Sequence, residues 1–139
     1  MKILRIEHLG LACRSADQAA AFWSGALGLP VVDRETLPEM KLKVVKVQAG
    51  GSVLELLEPM EGEQVISKFL TSRGEGVHHV CFEVEDIREA ARELRARGHV
   101  PLWEEPKAGA GGKWVNFLRP KDAFGVLVEL NQAPGPAPV

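Results

Sequence analysis

IEHLGLAC at residues 6–13 and VHHVCFEV at residues 77–84 are the stretches that decide the fold, because each opens a module of the same design. After the first comes SADQAAAFWSGALGLP (15–30), where Ser15 is placed to cap a helix. Ala19, Phe22, Trp23, Ala26 and Leu27 fall on one face of that helix, and Gly28 and Pro30 stop it. Runs at 31–36, 42–48 and 52–58 then read as three strands separated by LPEM and AGG. VHHVCFEV is followed in the same order by DIREAARELRARG (86–98), with Asp86 as the capping residue and Gly98 as the stop. Strands are expected over about 99–104, 113–119 and 125–131. An internal repeat of this length governs the architecture. The fold class expected is mixed α/β (α+β), with two tandem βαβββ modules over residues 3–60 and 77–132 forming a curved sheet around a metal-binding cleft.

Residues 61–76 read as a linker holding a short helix and ending in glycines, and the proline-rich segment 133–139 as a frayed tail. Each module alone has too few strands for an independent core, so residues 1–132 are expected to act as one domain.

Composition narrows the function classes. The chain has 139 residues, 45% of them hydrophobic and 26% charged, which suits an ordinary globular core. A formal net charge of −2 with dispersed basic residues argues against a nucleic-acid partner. No apolar run approaches the roughly 20 residues that span a bilayer, and MKILRIEHLG lacks the apolar centre of a signal peptide, so a cytoplasmic protein without a membrane partner is expected. Cys13 and Cys81 do not form a CxxC pair and read as small buried strand residues.

The repeat also carries chemistry. Glu55 in VLELLEP lies 47 residues after His8, and Glu129 in VLVELNQ lies 50 after His79. Alternation along a strand allows only one histidine of the HH pair to line a common site, and alignment with HLGL selects His79 over His78. A carboxylate between apolar neighbours is costly to bury unless it is paired or metal-bound. Two imidazoles and two carboxylates suit one divalent ion such as Co2+, Mn2+, Ni2+, Zn2+ or Fe2+. Four protein ligands leave positions of an octahedral ion open, which favours catalysis over a purely structural role. Lys107, Lys113 and Lys121, around and after the glycine-rich AGAGG, are candidates to hold an anionic group of a substrate, beside the simpler reading of a flexible hairpin with solvated lysines. Trp103 and Trp114 are expected on strands, as core or interface residues.

HLGLAC, VLELLEP, EGVHHVCFEVEDI, AGAGGK and FLRPKDAFGVLVEL together make the chain resemble the vicinal oxygen chelate superfamily, which includes glyoxalases, extradiol dioxygenases and bleomycin-resistance proteins. Within it the chain is most similar to the methylmalonyl-CoA epimerase branch, from about residue 4 to residue 132. The resemblance implies that His8, Glu55, His79 and Glu129 bind one divalent metal ion per chain, with Co2+ favoured. It also implies that Glu39 in TLPEMKLKVV is an additional acid/base carboxylate, paired with Glu129 in catalysis. The partner is then an acyl-CoA thioester, and the assembly a homodimer. The chain departs from the family at Arg119, where many relatives have His. A glyoxalase-like lyase or isomerase and a metal-free drug-binding module are the alternatives of the same fold.

Overall fold

Strand and helix periodicities take turns along each half of the sequence, and each half folds accordingly. The computed structural model describes residues 1–136. The chain forms two units, one of His8–His78 and one of Met1–Glu7 together with the chain from His79 onward. The first strand, β1 (Ile3–Ala12), passes from the second of these units into the first between Glu7 and His8.

In the first unit β1 leads to α1 (Ala16–Ala20), β2 (Val31–Leu37), β3 (Leu42–Ala49), β4 (Ser52–Pro59) and α2 (Val65–Arg73). The strand order is β2-β3-β4-β1, with β3 antiparallel to both neighbours and β4 parallel to β1. Leu54 and Leu56 on β4 and Val45 and Val47 on β3 pack with Cys13, Ala16 and Ala20 under α1. Alternation turns Val53, Glu55 and Leu57 to the other face. There Leu57, Val44 and Leu42 are covered by Ile66 and Leu70 of α2. The segment expected as a linker therefore holds a helix that buries part of the sheet. Its first turn is fixed by the Glu63 carboxylate, which accepts from the N–H groups of Ile66 and Ser67 at 2.8 Å each.

The second unit runs β5 (Gly76–Val84), α3 (Ile87–Ala96), β6 (Lys107–Ala108), β7 (Trp114–Leu118) and β8 (Leu127–Gln132). Its order, β5-β8-β7-β6, repeats that of the first unit strand for strand, with β8 parallel to β5 and antiparallel to β7. Asp86 caps α3 by accepting from the N–H groups of Arg88 and Glu89 at 3.0 Å each, and Gly98 at φ 87° ends it. Val84, Ile87, Ala90 and Leu130 form the core, with Phe82, Trp114 and Val128 packed against it. The mixed α/β class and the tandem βαβββ order are thus as expected. Cys13 and Cys81 are free thiols at 4% and 0% exposure.

Three elements differ from the expectation. The first helix is α-helical only to Ala20 and continues to Ala26 as a π-helix, closed by the Leu27 N–H donating to the Phe22 carbonyl at 3.1 Å. The wider turn rotates later residues off the 3.6-residue face, so Ala19 and Trp23 still meet the core while Phe22 and Leu27 are more than half exposed. The strand expected at 99–104 is absent, and Trp103 is not on a strand. Pro101 removes a ladder donor; the Leu102 N–H still donates to the Phe117 carbonyl at 2.7 Å, and at Trp103 the Asn116 side chain takes over the pairing. Its Oδ1 accepts from the Trp103 N–H at 3.1 Å, and its Nδ2 donates to the Trp103 carbonyl at 3.0 Å. Only the two-residue β6 remains on that edge. Of the segment 133–139, residues 133–136 are exposed without helix or strand, and 137–139 lie outside the described residues.

Candidate functional site

Strand register sets out the expected ligand residues in each unit. In the first, His8 lies opposite Val53 and Gly10 opposite Glu55. Histidine and carboxylate are therefore diagonal neighbours on one face of a parallel pair, with no side chain on Gly10 between them. His8 Nδ1 and Glu55 Oε2 stand 3.6 Å apart, longer than an N–H···O hydrogen bond. The His8 side chain is 7% exposed and that of Glu55 20%, so both donors are largely screened from solvent. On its other side Glu55 is opposite Lys46 of β3, whose ammonium is drawn outward to Glu35 at 3.5 Å and Asp33 at 3.9 Å.

The second unit repeats the relation. His79 lies opposite Leu127, and Cys81 opposite Glu129. Donor atoms of His79 and Glu129 come within 4.8 Å of one another, and His79 is 8% exposed. Cys81 stands where Gly10 stands in the first unit. Burial pushes its thiol far up, with the Glu129 charge and a hydrogen bond to Glu129 adding to the effect. It therefore remains S–H beside the carboxylate. Cys13 is raised to about 11, mainly by burial, then by Glu75 and Glu58. Neither cysteine is a nucleophile near neutral pH.

The structure thus brings His8 to Glu55 and His79 to Glu129. His78, the neighbour that alternation rejects, sets its ring edge-on to Phe69 at 5.2 Å, and burial lowers its pKa. In their donor chemistry, two half-buried N,O pairs without a direct hydrogen bond in the His8–Glu55 pair fit a borderline divalent ion.

The other expected residues are dispersed. Glu39 is exposed in the turn between β2 and β3. Leu42, three residues on, pairs with Pro59, while Glu55 pairs with Lys46. That offset places the turn about 13 Å along the strands from Glu55, at roughly 3.3 Å per residue. Lys107 lies over the Trp103 ring at 4.3 Å and Lys121 is exposed in the turn Pro120–Ala123. Lys113 turns inward, and its Nζ donates to Glu7 Oε1 at 2.8 Å. Glu7, not anticipated from sequence, is only 9% exposed and also accepts from Asn131 Nδ2 at 3.2 Å. A charged residue within the apolar run ILRIEHLGLA was the signal that could have found it.

Residues 7–117 match the glyoxalase/bleomycin resistance protein/dioxygenase superfamily. The chain is 42% identical over 130 residues to the mitochondrial methylmalonyl-CoA epimerase of Homo sapiens, covering 93% of this chain and 74% of that protein. It is 38% identical over 130 residues to the ethylmalonyl-CoA/methylmalonyl-CoA epimerase of Cereibacter sphaeroides, covering 92% and 97%. A solved variant of the Streptomyces coelicolor methylmalonyl-CoA epimerase, in complex with 2-nitronate-propionyl-CoA, matches with a TM-score of 0.84 at 33% identity over 99% of both chains. By these matches and by its repeated topology, the chain belongs to the glyoxalase/bleomycin resistance protein/dioxygenase superfamily and is a close homologue of the methylmalonyl-CoA epimerases.

Proposed function

We propose that this protein is a metal-dependent epimerase that interconverts the (R) and (S) forms of methylmalonyl-CoA by 1,1-proton transfer. His8, Glu55, His79 and Glu129 hold one divalent ion in this reading. The observation that carries it is the repeated register, in which each unit sets a carboxylate diagonally from a buried imidazole, in a chain homologous over nearly its whole length to epimerases of that name. Co2+ as the ion, a homodimer and a cytoplasmic setting belong to the same proposal.

The hydrogen to be moved lies on the carbon between a thioester and a carboxylate, and its removal puts negative charge on oxygen. A divalent ion held by the four ligands supplies a fixed positive charge where that charge develops. A nitronate, the group on the ligand of the Streptomyces coelicolor relative, is a planar anion as an enolate is. The chain's carboxylates move the proton. Inversion requires one group to take it from one face and a second to return it to the other. Glu129 is one of these groups, set opposite Cys81 in the strand register. Glu39 is the second. Its carboxylate takes no hydrogen bond or ion pair among the described residues, so it is uncommitted when substrate arrives.

Incubation of the purified protein with methylmalonyl-CoA in deuterated water tests this directly. Deuterium should enter at the α-carbon as the stereoisomers interconvert, stop when metal is removed and resume with Co2+. Metal content without exchange would turn the reading toward a glyoxalase-like lyase or isomerase. Undiminished exchange in metal-stripped protein would sink the role of the ion. Glu39→Gln should keep fold and metal yet lose about 10²- to 10⁴-fold in turnover, the contribution of one general acid/base group. Near-normal turnover of that variant would remove Glu39 from the mechanism.

A further inference from the structure

Glu7 of the second unit is a buried carboxylate that the proton-transfer chemistry does not use. Both of its oxygens are occupied, Oε1 by the Lys113 ammonium at 2.8 Å and Oε2 by the Asn131 amide at 3.2 Å. The amide orientation follows from the charge, because the flipped amide would set its oxygen against the carboxylate. Asn131 is 2% exposed and follows Glu129 by two residues on β8, so the two side chains share a face about 7 Å apart. Asn131 Oδ1 is buried without a hydrogen-bond partner among the described residues. The trio therefore continues the face that carries Glu129.

Exposure within the ion pair is uneven. The Glu7 side chain is 11% exposed and that of Lys113 32%. The carboxylate is the buried, fixed partner, and the ammonium is the end that remains open. An ammonium has three donors, and the 2.8 Å bond to Glu7 uses one. A buried carboxylate without a counter-charge is strongly disfavoured, so Glu7 constrains where Lys113 can rest. Lys107 and Lys121 have no such constraint, since one lies on a tryptophan face and the other in an exposed turn.

We propose that Glu7 is a positioning residue that holds the Lys113 ammonium on the Glu129 face, where it takes the free carboxylate of a malonyl-type acyl group. This inference rests on the epimerase reading, which supplies an acyl group with a free carboxylate next to the reacting carbon. Asn131 braces Glu7 from its other oxygen. Lys113 thereby separates malonyl-type thioesters from simple acyl-CoA thioesters of the same length.

The test compares a ligand that has the carboxylate with one that lacks it. KM for methylmalonyl-CoA and the inhibition constant of propionyl-CoA are measured for the holoenzyme and for K113M, K113R and E7Q. K113M should raise KM about tenfold, the loss expected for one charge-assisted hydrogen bond, while propionyl-CoA inhibition stays within about twofold. K113R should recover most of the loss, and E7Q should raise KM in the same direction by about threefold. Should K113M fold poorly with Glu7 unpaired, the double variant E7Q/K113M removes both charges and is held to the same criterion. Equal weakening of both ligands, or no change in either, overturns the inference, and an unchanged KM in E7Q removes Glu7 from it. If the unsubstituted protein shows no epimerisation, the epimerase reading itself fails, which is a different result.

Discussion

His78 and His79 are adjacent and chemically identical, and the strand separates them by direction alone. His79 approaches Glu129, whereas His78 meets the ring edge of Phe69 and has its pKa lowered by burial. His79→Ala should therefore abolish bound metal, measured by elemental analysis of the purified protein. His78→Ala should retain the metal and lose about 1–2 kcal/mol of stability from the lost packing. Equal metal loss in the two variants would undo the assignment by alternation. That assignment was legible because side chains on a strand must alternate. Glu7 was not legible as a partner, since its contacts lie 106 and 124 residues away and no local period links them. Alternation along β1 puts Glu7 with Leu9 and Leu11. Those leucines pack under α1, while Glu7 belongs to the other unit.

At the level of elements, the eight strands came from sequence except for one, and its absence has an identifiable cause. Residues 99–104 have suitable apolar content, but apart from the Leu102 N–H donating to the Phe117 carbonyl at 2.7 Å their pairing with β7 runs through a side chain. Asn116 is 1% exposed and also accepts from the Phe117 N–H at 2.8 Å, so its amide makes three bonds. Arg95 Nη2 adds donations to the Trp103 and Glu104 carbonyls at 3.3 and 2.8 Å. Asn116→Ala leaves the part-buried Trp103 N–H without this partner, while the Trp103 carbonyl keeps Arg95, and should cost about 1–3 kcal/mol in denaturant unfolding. Amide exchange at 102–104 should quicken more than in β8. A denaturation midpoint like that of the unsubstituted protein would show that the ladder is held elsewhere. Such a bond is invisible to periodicity, because an asparagine within a strand usually marks a weak position. The π-turn of the first helix is hidden for a related reason. The composition of AAAFWSGALG permits either winding, and in the one adopted Trp23 packs against the core.

For the whole molecule, the repeat sets two stoichiometries against each other. Each unit holds its own imidazole and carboxylate, so a chain could bind one shared ion or two separate ones. Two protein donors are few for an ion of this type, and the proposed function requires one ion with four. The expected stoichiometry is one metal per chain, and His8→Ala and His79→Ala should each bring it to zero although they lie in different units. Independent ions would give two per chain, falling to one in either variant, and would overturn the shared centre. Stability gives a second readout, since an ion that binds only the native state stabilises it. At a free concentration 100-fold above its dissociation constant the gain is about 2.7 kcal/mol. In a chain of this length that gain corresponds to a Tm rise on the order of 8 °C. A shared ion requires either histidine variant to lose the whole rise, whereas separate ions would leave part of it in each.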